Sequence, residues 1–535
     1  MSSVKDLFKN TSAMAVGTVL SRVTGVIRTA VIVAALGFGP LADAYSIGNT
    51  LPNIIYILTV GGALNAVFIP QLIRHMKDDA DLGRAYTDRL LTAVGLILLV
   101  ITVSVVLLAP WIISIYLPTG WAEADKSATL LFARYLLPQI FFYGIFALLS
   151  QVLNSRDKFI IPMFAPIINN LVVIVAGVIF LIEVSGTNAL IISDRGLIFL
   201  SVFTTLGIAL QALILVPYLI KDGFRYRPRF DFRDSGLSDT SKLAAWTIAL
   251  VLVNQISYAA VARIAATAND SSVNTVGFTA YQNAHLVFLL PHAVLTVSLV
   301  TALLPSLSRT AHAKDLARVG VDIEKALRTL TVLLIPVSLM MFAHGQTIMV
   351  TLFARGNATV VQSALTGSVL AAFALGLLPF TVFYLLSRAC YAQEDTKTPF
   401  YFTIVMNMVQ LFIAAFFVVN TKQSAWVVGL GFGYSLGYLV AAIGMLLLLR
   451  KPLSLKFGKW GETSIVILFV SFFAVVVSYL VAAFIDGLLP DATWSYLLEL
   501  LIATAAAISV VAGIHKYHPI KEIGELVRLV RRASN

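Results

Sequence analysis

Long apolar runs separated by short polar stretches recur through the whole chain, and this pattern constrains the fold more than any motif does. Fourteen runs stand out, near 10–36, 41–73, 88–117, 127–154, 160–184, 190–220, 240–268, 274–308, 322–352, 362–390, 398–419, 424–449, 462–485 and 494–515. A helix of roughly 20 apolar residues crosses about 30 Å of hydrocarbon. It also satisfies its own backbone hydrogen bonds there, which irregular chain cannot do. Only 12% of the residues are charged and 59% are hydrophobic, against about 25% charged in ordinary soluble proteins. The pattern predicts an all-α polytopic membrane protein with 14 transmembrane helices. The first run follows "MSSVKDLFKN"; it is too long for a signal peptide and ends at no small-residue cleavage site, so it is expected to stay as a helix.

The net charge of +11 could suggest nucleic acid, but its distribution follows the positive-inside rule instead. Of 38 Lys and Arg residues, 29 fall in the termini and one alternating set of loops, including "KDGFRYRPRFDFR" and the tail from Lys516. The other set of loops holds four, Lys126, Arg195, Arg355 and Lys422. The asymmetry predicts that both termini are cytoplasmic, as an even number of spans requires.

The chain also repeats itself. "AVFIPQLIRHMKDDADLGRAYTDRLLTAVGLILL" at Ala66 resembles "TALLPSLSRTAHAKDLARVGVDIEKALRTLTVLL" at Thr301, aligning Pro70 with Pro305. A second pair, "NSRDKFIIP" and "AQEDTKTPF", follows at nearly the same offset. The pairs fall after the second and fourth spans of each half, which predicts two six-helix bundles plus two C-terminal helices. Six spans per repeat give both repeats one orientation, so an axis along the membrane normal relates them. The expected lobes are residues 1–235 and 236–455, with 456–535 holding the last two helices and a basic tail. A substrate site is expected between the lobes.

Five cations remain inside the spans, and all are arginine: Arg22, Arg28, Arg134, Arg263 and Arg388. A charge in hydrocarbon costs at least about 2.5–3.5 kcal/mol. Snorkelling to an interface suits Arg388, about one turn from a cytoplasmic loop. It does not suit Arg22, which lies about 18 Å into its helix at 1.5 Å per residue. Arg28, Arg134 and Arg263 lie about two turns below the outer surface. Bracing through carbonyls or an acid such as Asp43 is one explanation. The other is a cationic cavity, favoured by the scarcity of intramembrane acids, mainly Asp43, Glu183 and Glu499. Arginine stays charged and binds phosphate oxygens as a planar fork, so the expected cargo is an anion bearing phosphate.

Ser21, Thr24 or Gly25, and Arg28 share one face of the first helix, with room for packing or a ligand. Gly61 and Gly62, in "TVGGAL", suit close packing or a hinge, and Pro52 can kink the second helix. No Walker loop, nucleophile elbow, zincin motif or carboxylate pair is present, so an enzyme is not expected. The one cysteine, Cys390, excludes an intrachain disulfide and has no metal-ligand spacing around it. No cofactor is expected; an ion gradient, the membrane potential or the cargo gradient must supply the energy.

"SRVTGVIRTA", "ADAYSIGNTLPNIIYILTVGGALNAVFIPQL", "LNSRDKFIIPMFAPIINN", "LLPSLSR" and "YAQEDTKTP" together resemble the MurJ/MviN family of lipid II flippases, in the multidrug/oligosaccharidyl-lipid/polysaccharide exporter superfamily. The resemblance runs from the first span to the twelfth. It implies that the protein flips the undecaprenyl-diphosphate-linked peptidoglycan precursor across the bacterial cytoplasmic membrane by alternating access. It assigns Arg22 and Arg28 as essential helix-1 residues and Asp43 as the helix-2 acid; the reading of depth and helix face adds Arg263, Arg134 and Ser21 to the substrate-binding set. Pro52, Asn53, Gly61, Gly62 and Arg388 take structural or gating roles. The implied partners are lipid II, membrane lipids and cell-wall synthesis enzymes, without nucleic acid, for a monomer. The last two helices are expected to form a groove for the polyprenyl tail. The chain departs from the family pattern at Tyr56 and Leu286, where many relatives carry arginine; Arg263 and His285 are the candidate replacements. Another exporter of the superfamily, carrying a different lipid-linked sugar or a drug, and a non-transporting scaffold for cell-wall enzymes are the alternatives.

Overall fold

Because apolar runs of this length satisfy their backbone only as helices, the fold is a set of helices, some of which break next to a proline that removes a donor. The computed structural model describes residues 4–61, 72, 75, 81, 83–118, 120–156, 158–186, 194–231, 241–269, 275–490, 492–517 and 524, without the side chains of 4–16, 60–61, 184–186, 241–245 and 247–248. Two compact units are present: residues 1–267 with Arg355–Ala358, and residues 268–354 with 359–535.

The first unit contains α1 (Val4–Leu36), α2 (Pro40–Tyr56), α3 (Arg84–Leu107), α4 (Ala109–Tyr116), α5 (Glu123–Leu136), α6 (Gln139–Asn154), α7 (Ile160–Gly186), α8 (Asp194–Leu213), α9 (Leu215–Lys221) and α10 (Ser241–Thr267). The second contains α11 (Phe278–Pro291), α12 (Val297–His312), α13 (Leu316–Ala343), α14 (Gly345–Phe353), α15 (Val360–Ala374), α16 (Leu377–Ala392), α17 (Lys397–Asn420), α18 (Trp426–Arg450), α19 (Phe457–Asp486) and α20 (Thr493–Tyr517).

Among the described residues, twelve helices are long and apolar enough to cross a membrane, or thirteen if α15 and α16, bent by 47°, form one span. The protein is thus an all-α polytopic membrane protein. The second expected span, 41–73, extends beyond the described residues, as do Gly62 and Pro70. Several expected spans are broken helices: α3 gives way to α4 just before Pro110, and α5 to α6 at Pro138.

In the first unit α1 lies along α7. A Cβ at Gly177 would stand 2.7 Å from a Val31 methyl, so the two helices meet at that glycine. Asn170 of α7 fastens the same seam, its Nδ2 donating to Ser21 O at 3.2 Å and to Thr24 Oγ1 at 2.9 Å. The short segment Arg355–Ala358 also belongs here: Asn357 donates its N–H to Ala34 O at 2.8 Å and its Nδ2 to Ala35 O at 2.7 Å. The basic stretch after α9 is strapped along α3. Asp88 Oδ1 accepts Arg227 N–H and Thr92 Oγ1 accepts Arg229 N–H, both at 3.1 Å. Arg89 meets Asp231 at 2.6 Å, and its hydrogen bond holds that exposed carboxyl below its ordinary range. That small contribution is present above the usual carboxylate pKa of about 4 and is lost as pH falls below it.

Two π turns interrupt the helices, at Ile57–Gly61 after α2 and at His292–Thr296 between α11 and α12. Their starting positions differ by 292 − 57 = 235. Pro305 and Pro70, aligned by the internal repeat, differ by the same 235. A π turn is rare and often marks a functional site, so its recurrence at matching positions is a structural counterpart of the sequence repeat.

Candidate functional site

The two arginines of α1 differ in setting. Arg22 is exposed, on a helix face with exposed Val19, Val23 and Ile27. Arg28, almost two turns on, is half-buried, and it acts electrostatically on the Tyr45 hydroxyl of α2 and the Tyr143 hydroxyl of α6. Neither guanidinium makes a hydrogen bond or ion pair among the described residues. Among the described residues no acid therefore pairs with Arg28; Asp43 is fully buried near the start of α2.

The tyrosines beside Arg28 are themselves held. Tyr45 Oη lies 3.1 Å from Thr204 Oγ1 of α8, and its ring meets Phe132 edge-on at 5.4 Å. Thr204 in turn donates to Leu200 O at 2.7 Å. Tyr56 stacks against Tyr143 at 6.3 Å. Arg28 thus faces two tyrosine hydroxyls, one on α2 and one on α6, a setting that can solvate a cation without neutralising it. Sequence reasoning found Arg28 but missed Tyr45, Tyr143, Thr204 and Asn170; "ADAYSIGN" contained the clue that a tyrosine two residues after Asp43 falls on a different helix face.

The remaining candidates are dispersed. Arg134 is exposed on α5. Arg263 is exposed on α10 and donates its Nη1 to Ile115 O of α4 at 3.1 Å. Nearby, Trp121 Nε1 donates to Ala266 O at 3.0 Å, so α10 packs on the first unit. Ser21 contributes its backbone carbonyl to the α1–α7 seam. Pro52 is buried in α2, Asn53 is exposed beside it, and Gly61 ends the π turn. Arg388, half-buried in α16, lies over the Tyr384 ring at 4.9 Å, a cation–π contact rather than a free end.

In the second unit His285 sits in an aromatic cluster. Its Nε2 is 3.3 Å from Tyr434 Oη, and the Phe288 and Phe373 rings are centred 5.7 and 5.3 Å away. Leu286 is half-buried beside it. One helical turn beyond Phe288, His292 Nδ1 pairs with Thr381 Oγ1 at 3.0 Å. No group of His, Cys, Asp and Glu among the described residues could hold a metal ion.

This fold, twelve or more spans with interrupted helices, is that of the exporter superfamily. A solved inward-facing multidrug resistance MATE family transporter of the MOP superfamily superimposes with a TM-score of 0.63 at 16% identity, covering 81% of this chain and 94% of that one. A solved lipid II flippase MurJ in an inward closed conformation superimposes with a TM-score of 0.74 at 19% identity, covering 94% of this chain and 98% of that one. The sequence profile of lipid II flippase MurJ matches residues 32–502, and the chain belongs to that family. It is similar to the "Probable lipid II flippase MurJ" of Vibrio cholerae, at 26% identity across 92% of this chain and 91% of the relative. The lipid II flippase MurJ of Burkholderia cenocepacia is 26% identical across 82% of this chain and 84% of its own length.

Proposed function

We propose that the protein flips lipid II from the cytoplasmic to the outer leaflet of the bacterial cytoplasmic membrane. The observation that carries this reading is Arg28: a half-buried guanidinium on a membrane-spanning helix, acting on two tyrosine hydroxyls and without an acid partner among the described residues. A diphosphate leaving water loses hydration worth many kcal/mol, and arginine forks replace it with charge-assisted hydrogen bonds. Arg22, Arg263 and Arg134 extend the cationic surface, with Ser21 on the same face. The family is one of flippases, and this chain works as a transporter rather than a catalyst. Its energy comes from an ion gradient, the membrane potential or the cargo gradient.

The same reading assigns 14 spans in two six-helix bundles plus a C-terminal pair, a monomer, and contacts with lipid II and surrounding lipids. The paired π turns and the aligned prolines support the repeat. By sequence repeat the lobes divide at 235/236; by packing, α10 joins the first unit, since adjacency and ancestry are different criteria. Asp43, Pro52, Asn53, Gly61, Gly62 and Arg388 shape and bend the helices.

Expression should rescue a flippase-depleted bacterium and restore the lipid-linked precursor to the outer leaflet, read by its accessibility on each side. Growth without precursor in the outer leaflet would leave the scaffold reading standing. Both termini are cytoplasmic in this scheme. An impermeant thiol reagent should accordingly label cysteine placed at Lys422 or Thr119 in intact cells, but not at Asp79. Thr119 and Asp79 lie outside the described residues. Labelling at Asp79 would reverse the orientation and with it the direction of transport.

A further inference from the structure

Within the second unit, α13, α14, α15, α18, α19 and α20 line a cavity of about 590 Å³, whereas Arg28 belongs to the first unit. Small-molecule sites range over about 300–1,000 Å³. Two carboxylates line it, Asp486 at the end of α19 and Glu499 in α20. Glu499 is only 9% exposed, yet its one hydrogen bond among the described residues comes from a neutral group, Thr347 Oγ1 at 3.2 Å. Asp486 makes neither a hydrogen bond nor an ion pair among them, and it acts on Glu499 as a like charge. Among the described residues, no lysine or arginine lines the cavity. His344, the one basic ring in the wall, has its Nε2 engaged with Ser478 Oγ at 2.9 Å.

Removing a carboxylate from water without a counter-ion is costly; Glu499 is so removed, exposed Asp486 adds a second negative charge, and no cation among the described residues lines the wall to meet them. A metal ion lacks ligands here: among the described residues no group of three or more His, Cys, Asp and Glu could hold one. The wall instead presents Phe342, Phe432, Tyr479 and Tyr496, whose ring faces attract cations that water holds weakly. Gln346 Nε2, tied to Ser368 Oγ at 3.1 Å, adds a fixed polar edge. We propose that this cavity binds an organic amine in its protonated form, with the ammonium between Glu499 and Asp486 and its carbon skeleton against the aromatic wall. The amine is either a soluble molecule or the ethanolamine headgroup of a lipid; both offer the same ammonium.

The test uses the full-length protein in detergent near neutral pH, with benzylamine as the probe and benzyl alcohol as its neutral counterpart. Benzylamine should raise Tm in a saturable way and the alcohol should not. Glu499→Gln and the exposed Asp486→Asn should each weaken the apparent Kd for benzylamine at least tenfold. Because Asp486 is exposed, its variant keeps the test open if the buried one fails to fold. In nanodiscs, phosphatidylethanolamine added to phosphatidylglycerol should raise the apparent Kd for benzylamine if a lipid headgroup is the occupant; an unchanged Kd identifies a soluble amine. Equal shifts with amine and alcohol, or variants that bind like wild type, would overturn the proposal and make the cavity an apolar hollow with Glu499 carrying its own proton.

Discussion

Arg28→Ala should abolish rescue of a flippase-depleted strain while the protein still accumulates in the membrane. The side chain makes no hydrogen bond or ion pair among the described residues, so its removal takes away no strut. Tyr45 keeps Thr204 and its contact with Phe132, and Tyr143 keeps its stack with Tyr56. What is lost is a cation that would meet phosphate oxygens, an interaction of about 1.5–3 kcal/mol per charged hydrogen bond. Two such bonds correspond to a rate loss of roughly a hundredfold or more. Arg28→Lys should recover part of the activity, because a lysine restores charge without the planar fork. Normal rescue by the alanine variant at equal expression would remove Arg28 from the substrate path and leave it as a solvating group for the tyrosines.

The second large effect is on folding rather than transport. A Cβ on Gly345 would stand 2.6 Å from Gly367 O, so α14 and α15 meet backbone to backbone. A carbonyl in a helix cannot rotate aside as a flexible side chain can. Gly345→Leu should therefore cost about 3 kcal/mol or more, seen as a lowered Tm and poor accumulation. Gly95→Ala is the control: no atom lies within 4 Å of its Cβ position. It should match or slightly exceed wild type in stability, since alanine favours a helix by about 1 kcal/mol. If the two variants melt alike, the close approach of α14 and α15 is not limiting.

How much of this could be read from sequence depended on the strength of each local signal. Apolar runs announce spans because bilayer thickness sets their length, so α1, α7 and α17 fall where hydropathy put them. Arg22 and Arg28 announce themselves because charge is expensive in those runs. Their surroundings do not: Tyr45, Tyr143, Thr204 and Asn170 are ordinary residues in membrane helices, and only the packing of α1, α2, α6, α7 and α8 makes them neighbours of the arginines or of their helix. Arg263 shows the converse. Its depth was countable from the helix end, but the Ile115 carbonyl that takes its Nη1 belongs to a helix more than a hundred residues earlier. Glu499 was visible as an intramembrane acid, yet the cavity around it is assembled from six separate helices.

The paired π turns have a consequence for how this chain can change. Each fits one extra residue into a single turn of helix, so deleting that residue would restore a regular α-turn and leave the side chains before and after it in their present phase. The same deletion in an ordinary α-turn would rotate everything beyond it by about 100°. A one-residue deletion should therefore be better tolerated within Ile57–Gly61 or His292–Thr296 than elsewhere in the same helices. Apolar length does not register the difference, because composition, hydropathy and span count change equally little in both cases. The spare residue is slack in the helix register, present at two places 235 residues apart.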